Sequence, residues 1–251
     1  MYLYPQTDHR MTSICIIIPC YNEATRFNQT LFEDFYRRSD VFFYFVNDGS
    51  KDDTWSLLER IAKDKDKVLL INMPSNAGKA EAVRAGMLQA ELAKRFDYIG
   101  FWDADFATPL EEIIQFQQLI RPDIKIITGS RIKRLGARIE RSAFRHYFGR
   151  IFATIVTKLF QLPIYDTQCG AKLFHQSIVV PLFKESFHSK WMFDLELFIR
   201  FKKLYGEKEL QTNCYEHPLK CWIDVGGSKM KKMDFLNVPF RILSLYIHYK
   251  K

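Results

Sequence analysis

Five apolar runs, each followed by a stretch of helical periodicity, constrain the fold of this chain more than any other feature. Ser13 to Pro19, Val41 to Val46, Val68 to Met73, the run ending at Trp102 and Ile124 to Thr128 read as strands. Helical patterns lie between them. One runs through about Arg38, one from Asp52-Asp53-Thr54 to about Lys63, one from the Ser75-to-Lys79 stretch to about Lys94, and one follows Pro109, at the position proline prefers. Strands that are apolar on both faces and alternate with helices predict an α/β fold with a Rossmann-like, mostly parallel central sheet flanked by helices. No GxGxxG follows the first strand and no P-loop occurs, so any nucleotide is bound by a different arrangement from the dinucleotide and P-loop folds.

In such sheets ligands sit beyond the carboxyl ends of the strands, and that is where this sequence puts its polar clusters. Tyr21-Asn22-Glu23, Asp48, Asn76 with Lys79, Asp103 with Asp105, and Arg131 each follow a predicted strand and should converge on one crevice. The pair Asp103 and Asp105 is the most telling. On an extended strand, residues two apart point to the same side, so their carboxylates form a claw. Two like charges held close call for a cation, and hard oxygen ligands suit Mg²⁺ or Mn²⁺ with open positions for water or a substrate diphosphate. Taken singly, each cluster is also what an ordinary loop looks like, since Asp is common in turns.

The 251 residues, 47% apolar, can bury a sizeable core. The net charge of +8 suits an anionic partner. Five cysteines (Cys15, Cys20, Cys169, Cys214, Cys221), odd in number and without CxxC spacing, argue against a disulfide framework or a thiolate zinc site and suggest a reducing, cytosolic setting. No apolar run reaches the roughly 20 residues that cross a bilayer, and Met1 to Ser13 lacks a signal-peptide core; Tyr4 to Thr12 reads as a loose extension. Neither a single-strand platform nor a DNA-reading motif is present, so nucleic acid is not an expected partner.

The second half is less regular. Arg141 to Phe160 reads as a helix with Phe144, Phe148, Ile151, Ile155 and Leu159 on its apolar side and Arg138, Arg141 and Arg145 on another. Trp191-Met192-Phe193-Asp194-Leu195-Glu196 opens a helix to about Lys203, and Leu210 to Trp222 resembles further strand. Residues 231–251 predict an amphipathic C-terminal helix. Its polar stripe is Asp234, Asn237, Arg241, Ser244, His248 and Lys251, with Pro239 tolerated only near the first turn. Its broad apolar surface beside Lys231, Lys232, Lys250 and Lys251 suits either a membrane interface or packing on its own domain.

IIIPCYNE, VNDGSKDDT, NAGKAEAVRAGM, DAD, TGSR, DTQCGAKLF, WMFDLEL and GGSK, in this order, resemble the inverting family 2 glycosyltransferases of the GT-A fold. Within these they are most similar to the polyprenyl-phosphate sugar synthases, the dolichyl-phosphate β-glucosyltransferase group above all, with dolichyl-phosphate mannose synthase a close relative. The resemblance implies one GT-A domain over residues 13–230, with a nucleotide-sugar half at about 13–132 and an acceptor half at about 133–230. Pro19, Tyr21, Asn22 and Glu23 would line the nucleotide site, Asp48 would meet the base, Asp103 would contact the nucleotide sugar, and Asp105 would be the main metal ligand. Arg131 and Arg145 match positions that hold the lipid phosphate. Mannose synthases of this group often carry a glutamine two residues after DAD; Ala107 stands there, which favours the glucosyl branch.

The activity implied is metal-dependent transfer of a sugar, glucose from UDP-glucose, to a polyprenyl phosphate at the cytosolic face of a membrane, with anchoring supplied by a membrane partner. Lys172 and Lys229 are candidates to face phosphate, with a solvated lysine as the plain alternative for the first. A phosphate acceptor is already anionic and needs no general base, whereas a sugar hydroxyl would need a carboxylate, for which Asp194 is the candidate. Transfer to a glycan hydroxyl and an inactive nucleotide-sugar-binding scaffold are the two rival readings.

Overall fold

The structure, a computed structural model, describes residues 12–140, 143–225 and 237–250. Its centre is a seven-stranded sheet built from β1 (Ile14–Cys20), β2 (Phe42–Asn47), β3 (Val68–Asn72), β4 (Tyr98–Phe101), β5 (Ile126–Ser130), β7 (Lys172–His175) and β8 (Cys214–Pro218), in the spatial order β3-β2-β1-β4-β7-β5-β8. A separate two-stranded ribbon pairs β6 (Arg138–Glu140) with β9 (Cys221–Ile223). The helices are α1 (Gln29–Arg37), α2 (Thr54–Ala62), α3 (Lys79–Leu92), α4 (Glu111–Gln118), α5 (Ala143–Phe160), α6 (Gln176–Phe183), α7 (Phe193–Tyr205), α8 (Glu207–Asn213) and α9 (Val238–Lys250).

Alternation along β1 divides the core. Ile14, Ile16 and Ile18 meet the side chains of α1, α2 and α4, whereas Cys15 and Ile17 meet those of α3, α6 and α7 on the other face. Both faces are thus covered, as the two-sided apolar strands predict. Helix α1 starts where Asn28 accepts a hydrogen bond from the Leu31 N–H at 3.1 Å, a side-chain cap that satisfies one orphan donor of the first turn. Helix α3 lies so close to the sheet that a Cβ on Gly86 would sit 2.3 Å from Ile17 Cγ2, so a glycine is required at that contact.

Strands β1 to β4 are mutually parallel, but β7 runs antiparallel to both β4 and β5, pairing Phe101 with Lys172 and Lys172 with Thr128. A reversed strand begins at the edge where its neighbours end. The connection leading into β7 is therefore delivered to the carboxyl ends of β4 and β5.

The structure corrects several expectations. The carboxylates of Asp103 and Asp105 do not project from a strand: β4 stops at Phe101, and both lie in the turn beyond it, which includes Phe106 at φ +50°. Leu210 lies in α8, because the strand pattern of that region starts only at Cys214. Neither β7 nor α6 is signalled by the sequence pattern. On α5, among the described side chains, Phe152 and Val156 are buried, while Ile151, Ile155 and Leu159 of the apolar side read from the sequence are exposed; the side chains of Phe144 and Phe148 lie outside the described residues. In α9, Val238, Ile242 and Leu245 are buried, and Pro239 occupies the first turn as expected. Its polar stripe is not simply solvated, since Ser244 Oγ is 2.9 Å from His188 Nε2 and His248 stacks on His188 with ring centroids 4.3 Å apart.

Candidate active site

The polar segments that follow β1 to β5 do meet at one edge of the sheet, and contacts between them show how. Asn22, held at φ +50°, accepts the Lys51 N–H at 2.9 Å, and the Glu23 N–H donates to Thr54 Oγ1 at 2.8 Å, so the loop after β1 is tied to the loop after β2. Tyr21 and Pro19 border this junction, both partly exposed. Asp48 is buried, and its carboxylate accepts from Asn76 Nδ2 (2.9 Å), the Ala77 N–H (2.7 Å) and the Gly78 N–H (2.9 Å). The resemblance gives Asp48 the base to read. The structure gives it, with Asn76, the work of shaping the turn that launches α3 and aims Lys79.

Lys79 Nζ lies 2.5 Å from Asp103 Oδ1, and Arg26 Nη2 lies 3.5 Å from Asp105 Oδ2. Burial works against the Lys79 ammonium, but the carboxylates of Asp103, Asp194 and Asp105 outweigh it and raise its affinity for a proton. Asp105 shows the complementary strain: burial, and then the charge of Asp103, hold its carboxyl above the usual range despite Lys79 and Arg26 nearby. The turn thus carries two mutually repelling carboxylates partly compensated by organic cations, a donor set suited to a hard divalent ion. Among the described residues no third His, Cys, Asp or Glu joins them, so a bound ion would keep positions for other oxygen ligands.

The loop into β7 meets both the carboxylate turn and Arg131. Asp166 takes Arg131 in a forked pair, Nε at 2.6 Å and Nη2 at 2.8 Å, and also accepts the Arg131 N–H at 3.1 Å. Asp166, more than offsetting burial, keeps the guanidinium charged, and Asp103 acts in the same sense. The Arg131 guanidinium carbon lies 5.4 Å from the Trp222 ring centre. Gly170 abuts Asp103 directly: a Cβ there would lie 1.9 Å from Asp103 Oδ2.

Lys172 differs from both sequence expectations, since it neither faces a phosphate nor reaches solvent. It is fully buried, and its ammonium donates to the Thr167 carbonyl (3.1 Å), the Cys169 carbonyl and Asp194 Oδ1 (2.6 Å). Asp194, the candidate base, is consequently a buried partner of a lysine. Cys169 is a packing residue, its thiol pushed up to about 11 by burial. Arg145 falls on α5 but its side chain, like Lys229 as a whole, lies outside the described residues.

Sequence reasoning assigned no role to Asp166, Gly170, Arg26 or Glu216. Asp166 and Gly170 stand in a conspicuous motif, DTQCG, which marks the segment without revealing what it touches. Arg26 and Glu216 carry no local signal.

Residues 15–183 match the sequence family described as glycosyl transferase family 2. The chain is 31% identical over 249 residues to a dolichyl-phosphate beta-glucosyltransferase of Trichomonas vaginalis, covering 93% of this chain and 71% of that protein. It is also 31% identical over 261 residues to the dolichyl-phosphate beta-glucosyltransferase of Drosophila melanogaster, covering 96% and 77%. Its fold matches glucosyl-3-phosphoglycerate synthase from Mycobacterium tuberculosis, solved with Mn²⁺, uridine diphosphate and glucosyl-3-phosphoglycerate, at a TM-score of 0.64 and 14% identity over 99% of this chain and 86% of that one. With the family motifs in order, the polar loops gathered at one edge of a mostly parallel sheet and a GT-A neighbour covering nearly the whole chain, this chain belongs to glycosyltransferase family 2.

Proposed function

We propose that the chain transfers a glucosyl group from UDP-glucose to the phosphate of a polyprenol, with inversion at the anomeric carbon and with Mg²⁺ or Mn²⁺ held by Asp105 and Asp103. The observation that carries the reading is the meeting, at one edge of the sheet, of a carboxylate pair suited to a metal–diphosphate and an arginine held by Asp166 near enough for Asp103 to act on its charge. Such an ion, when bound, supplies charge stabilisation to the leaving diphosphate. The rest is done by the protein's own side chains. Lys79 sits where it can share the diphosphate's charge with the carboxylate turn, and the loop of Tyr21, Asn22 and Glu23, braced by the turn that Asp48 and Asn76 shape, borders the nucleotide. The fork with Asp166 uses Nε and Nη2 of Arg131, and Nη1, which takes no part in it, is the group assigned to the acceptor phosphate. Positioning of this kind accounts for much of the barrier lowering in transfers between phosphate-bearing partners.

A phosphate acceptor is favoured over a hydroxyl by the state of Asp194. Its carboxylate is buried, with Oδ1 taken by the Lys172 ammonium at 2.6 Å, which leaves little of it for an acceptor hydroxyl to reach, and a phosphate monoester does not require a base. The test is incubation with UDP-glucose, Mn²⁺ or Mg²⁺ and a polyprenyl phosphate, followed by mass analysis of the lipid. A glucosylated polyprenyl phosphate is expected. Release of UDP with free glucose alone, or glucose only on glycan hydroxyls, would overturn the proposal. Gly170→Ala is a sharper probe: the added methyl must displace Asp103, and a shift of that size lowers turnover by about 10²-fold. Steady-state kinetics beside a melting curve would separate displaced chemistry from misfolding.

A lipid acceptor brings the enzyme to a bilayer surface. No helix among the described residues is long and apolar enough to cross a membrane. Instead α5 exposes Tyr147, Ile151, Ile155 and Leu159 at four-residue spacing beside exposed Arg150 and Lys158, and α9 exposes Phe240, Leu243 and Ile247. Apolar stripes with a basic border suit an anionic interface. The double variant Ile151→Glu/Phe240→Glu is expected to lose flotation with anionic vesicles while keeping its melting temperature. Undiminished flotation would remove these stripes from the lipid contact.

A further inference from the structure

We propose that Glu216 and Lys172, which never touch substrate, are positioning residues that clamp the loop of residues 165–171 from its two ends. The loop makes two contacts with the site, Asp166 on Arg131 at the acceptor side and Gly170 on Asp103 at the metal side. It is an irregular segment tied to the sheet where the Ala171 carbonyl accepts the Gly129 N–H of β5 at 2.9 Å, and the shape of the rest depends on whatever satisfies its other backbone groups. Glu216 satisfies donors at its start, Oε2 accepting the Tyr165 N–H at 2.9 Å and Oε1 the Asp166 N–H at 2.7 Å. Lys172 satisfies acceptors further along, the carbonyls of Thr167 and Cys169.

The topology explains how one residue reaches each end. Phe101 pairs with Lys172, Lys172 with Thr128 and Thr128 with Glu216, so Lys172 and Glu216 lie in one row across β4, β7, β5 and β8. Residues directly opposite one another share a face of the sheet. An anion and a cation therefore rise from the same face two strands apart, the anion beneath N–H groups and the cation beneath carbonyls. Reversing the two charges would leave every one of these contacts repulsive. Lys172 is secured in turn by Asp194 on α7, which fixes the clamp to the helix layer.

The inference rests on the proposed role of Arg131 toward an acceptor phosphate, and the experiment separates the two. Glu216→Gln keeps the side chain's shape but presents an NH₂ to a backbone N–H. It is expected to raise KM for polyprenyl phosphate about 10- to 100-fold through the displaced Arg131–Asp166 fork. The dissociation constant for UDP with Mn²⁺ should stay within about twofold, since Glu216 holds the Tyr165–Asp166 end of the loop and not the Gly170 end that meets Asp103. Arg131→Ala is measured beside it. If Arg131→Ala raises the acceptor KM while Glu216→Gln does not, the clamp is refuted and the function stands. If Arg131→Ala leaves the acceptor KM unchanged, the phosphate role of Arg131 falls and the clamp's purpose with it. Equal weakening of donor and acceptor by Glu216→Gln would mark a general structural residue and also refute the proposal. Should Glu216→Gln not fold, Lys172→Met/Asp194→Leu, a volume-matched apolar pair, loosens the end that carries Gly170 and is expected to raise both the acceptor KM and the Kd for UDP with Mn²⁺; an unchanged acceptor KM would refute the clamp.

Discussion

Asp105→Asn lowers turnover by about 10²- to 10³-fold, the scale seen when a preorganised electrostatic contact to the developing charge is removed, and the variant melts no lower than the parent protein. The two halves of this expectation have one cause. Burial and the neighbouring Asp103 already hold the Asp105 carboxyl above its ordinary range, so the free protein carries an unfavourable charge that an amide would relieve. The sign follows from linkage: with a folded-state pKa above the unfolded value of 3.8, the contribution of this group to stability is present below 3.8 and is lost as pH rises through the raised value. With Asp105 as the proposed metal ligand, divalent-ion uptake is expected to run the other way, since it would require the deprotonated carboxylate and would weaken as pH falls through the same window. Turnover assays, melting curves across pH and calorimetry with Mn²⁺ and UDP would test all three. An Asp105→Asn protein that loses activity and melting temperature together would assign the residue to the scaffold.

Lys172→Met destabilises the fold by about 3–5 kcal/mol, the usual consequence of leaving one member of a buried ion pair without its partner. The side chain is wholly buried, and its loss would orphan the Asp194 carboxylate and two backbone carbonyls together. Removing both charges is far milder, because a matched apolar pair leaves no uncompensated ion; Lys172→Met/Asp194→Leu should recover most of the loss. Urea unfolding of the two single variants and the double would close the cycle. A single-variant loss below about 1 kcal/mol is what an exposed pair would give, and it would contradict the buried bridge.

Much of the site was legible because its signals are local. Two-sided apolar strands announce a covered parallel sheet, and such a sheet brings its loops to one edge, so Lys79, Asp103, Asp105 and Arg131 could be grouped before any contact was known. The faces of α5 were not legible. Its apolar residues cover a broad side of the helix, and periodicity does not say which part of that side meets the core. Lys172 was misread for a related reason: a lysine is nearly always exposed, and only its surroundings could make burial tolerable.

The order of apolar strands, helices and polar strand ends, by itself, determined the sheet, its covering layers and the edge where ligands would gather, because hydrophobic periodicity and the chemistry of carboxylates act over a few residues. The reversal of β7 between β4 and β5 was decided by tertiary structure alone, since nothing in Lys172-Leu173-Phe174-His175 records which strands will flank it. That insertion brings Asp166 to Arg131, Gly170 to Asp103 and Lys172 to Asp194, contacts that span from 22 to 67 residues of chain and exist only once the sheet has closed around the strand.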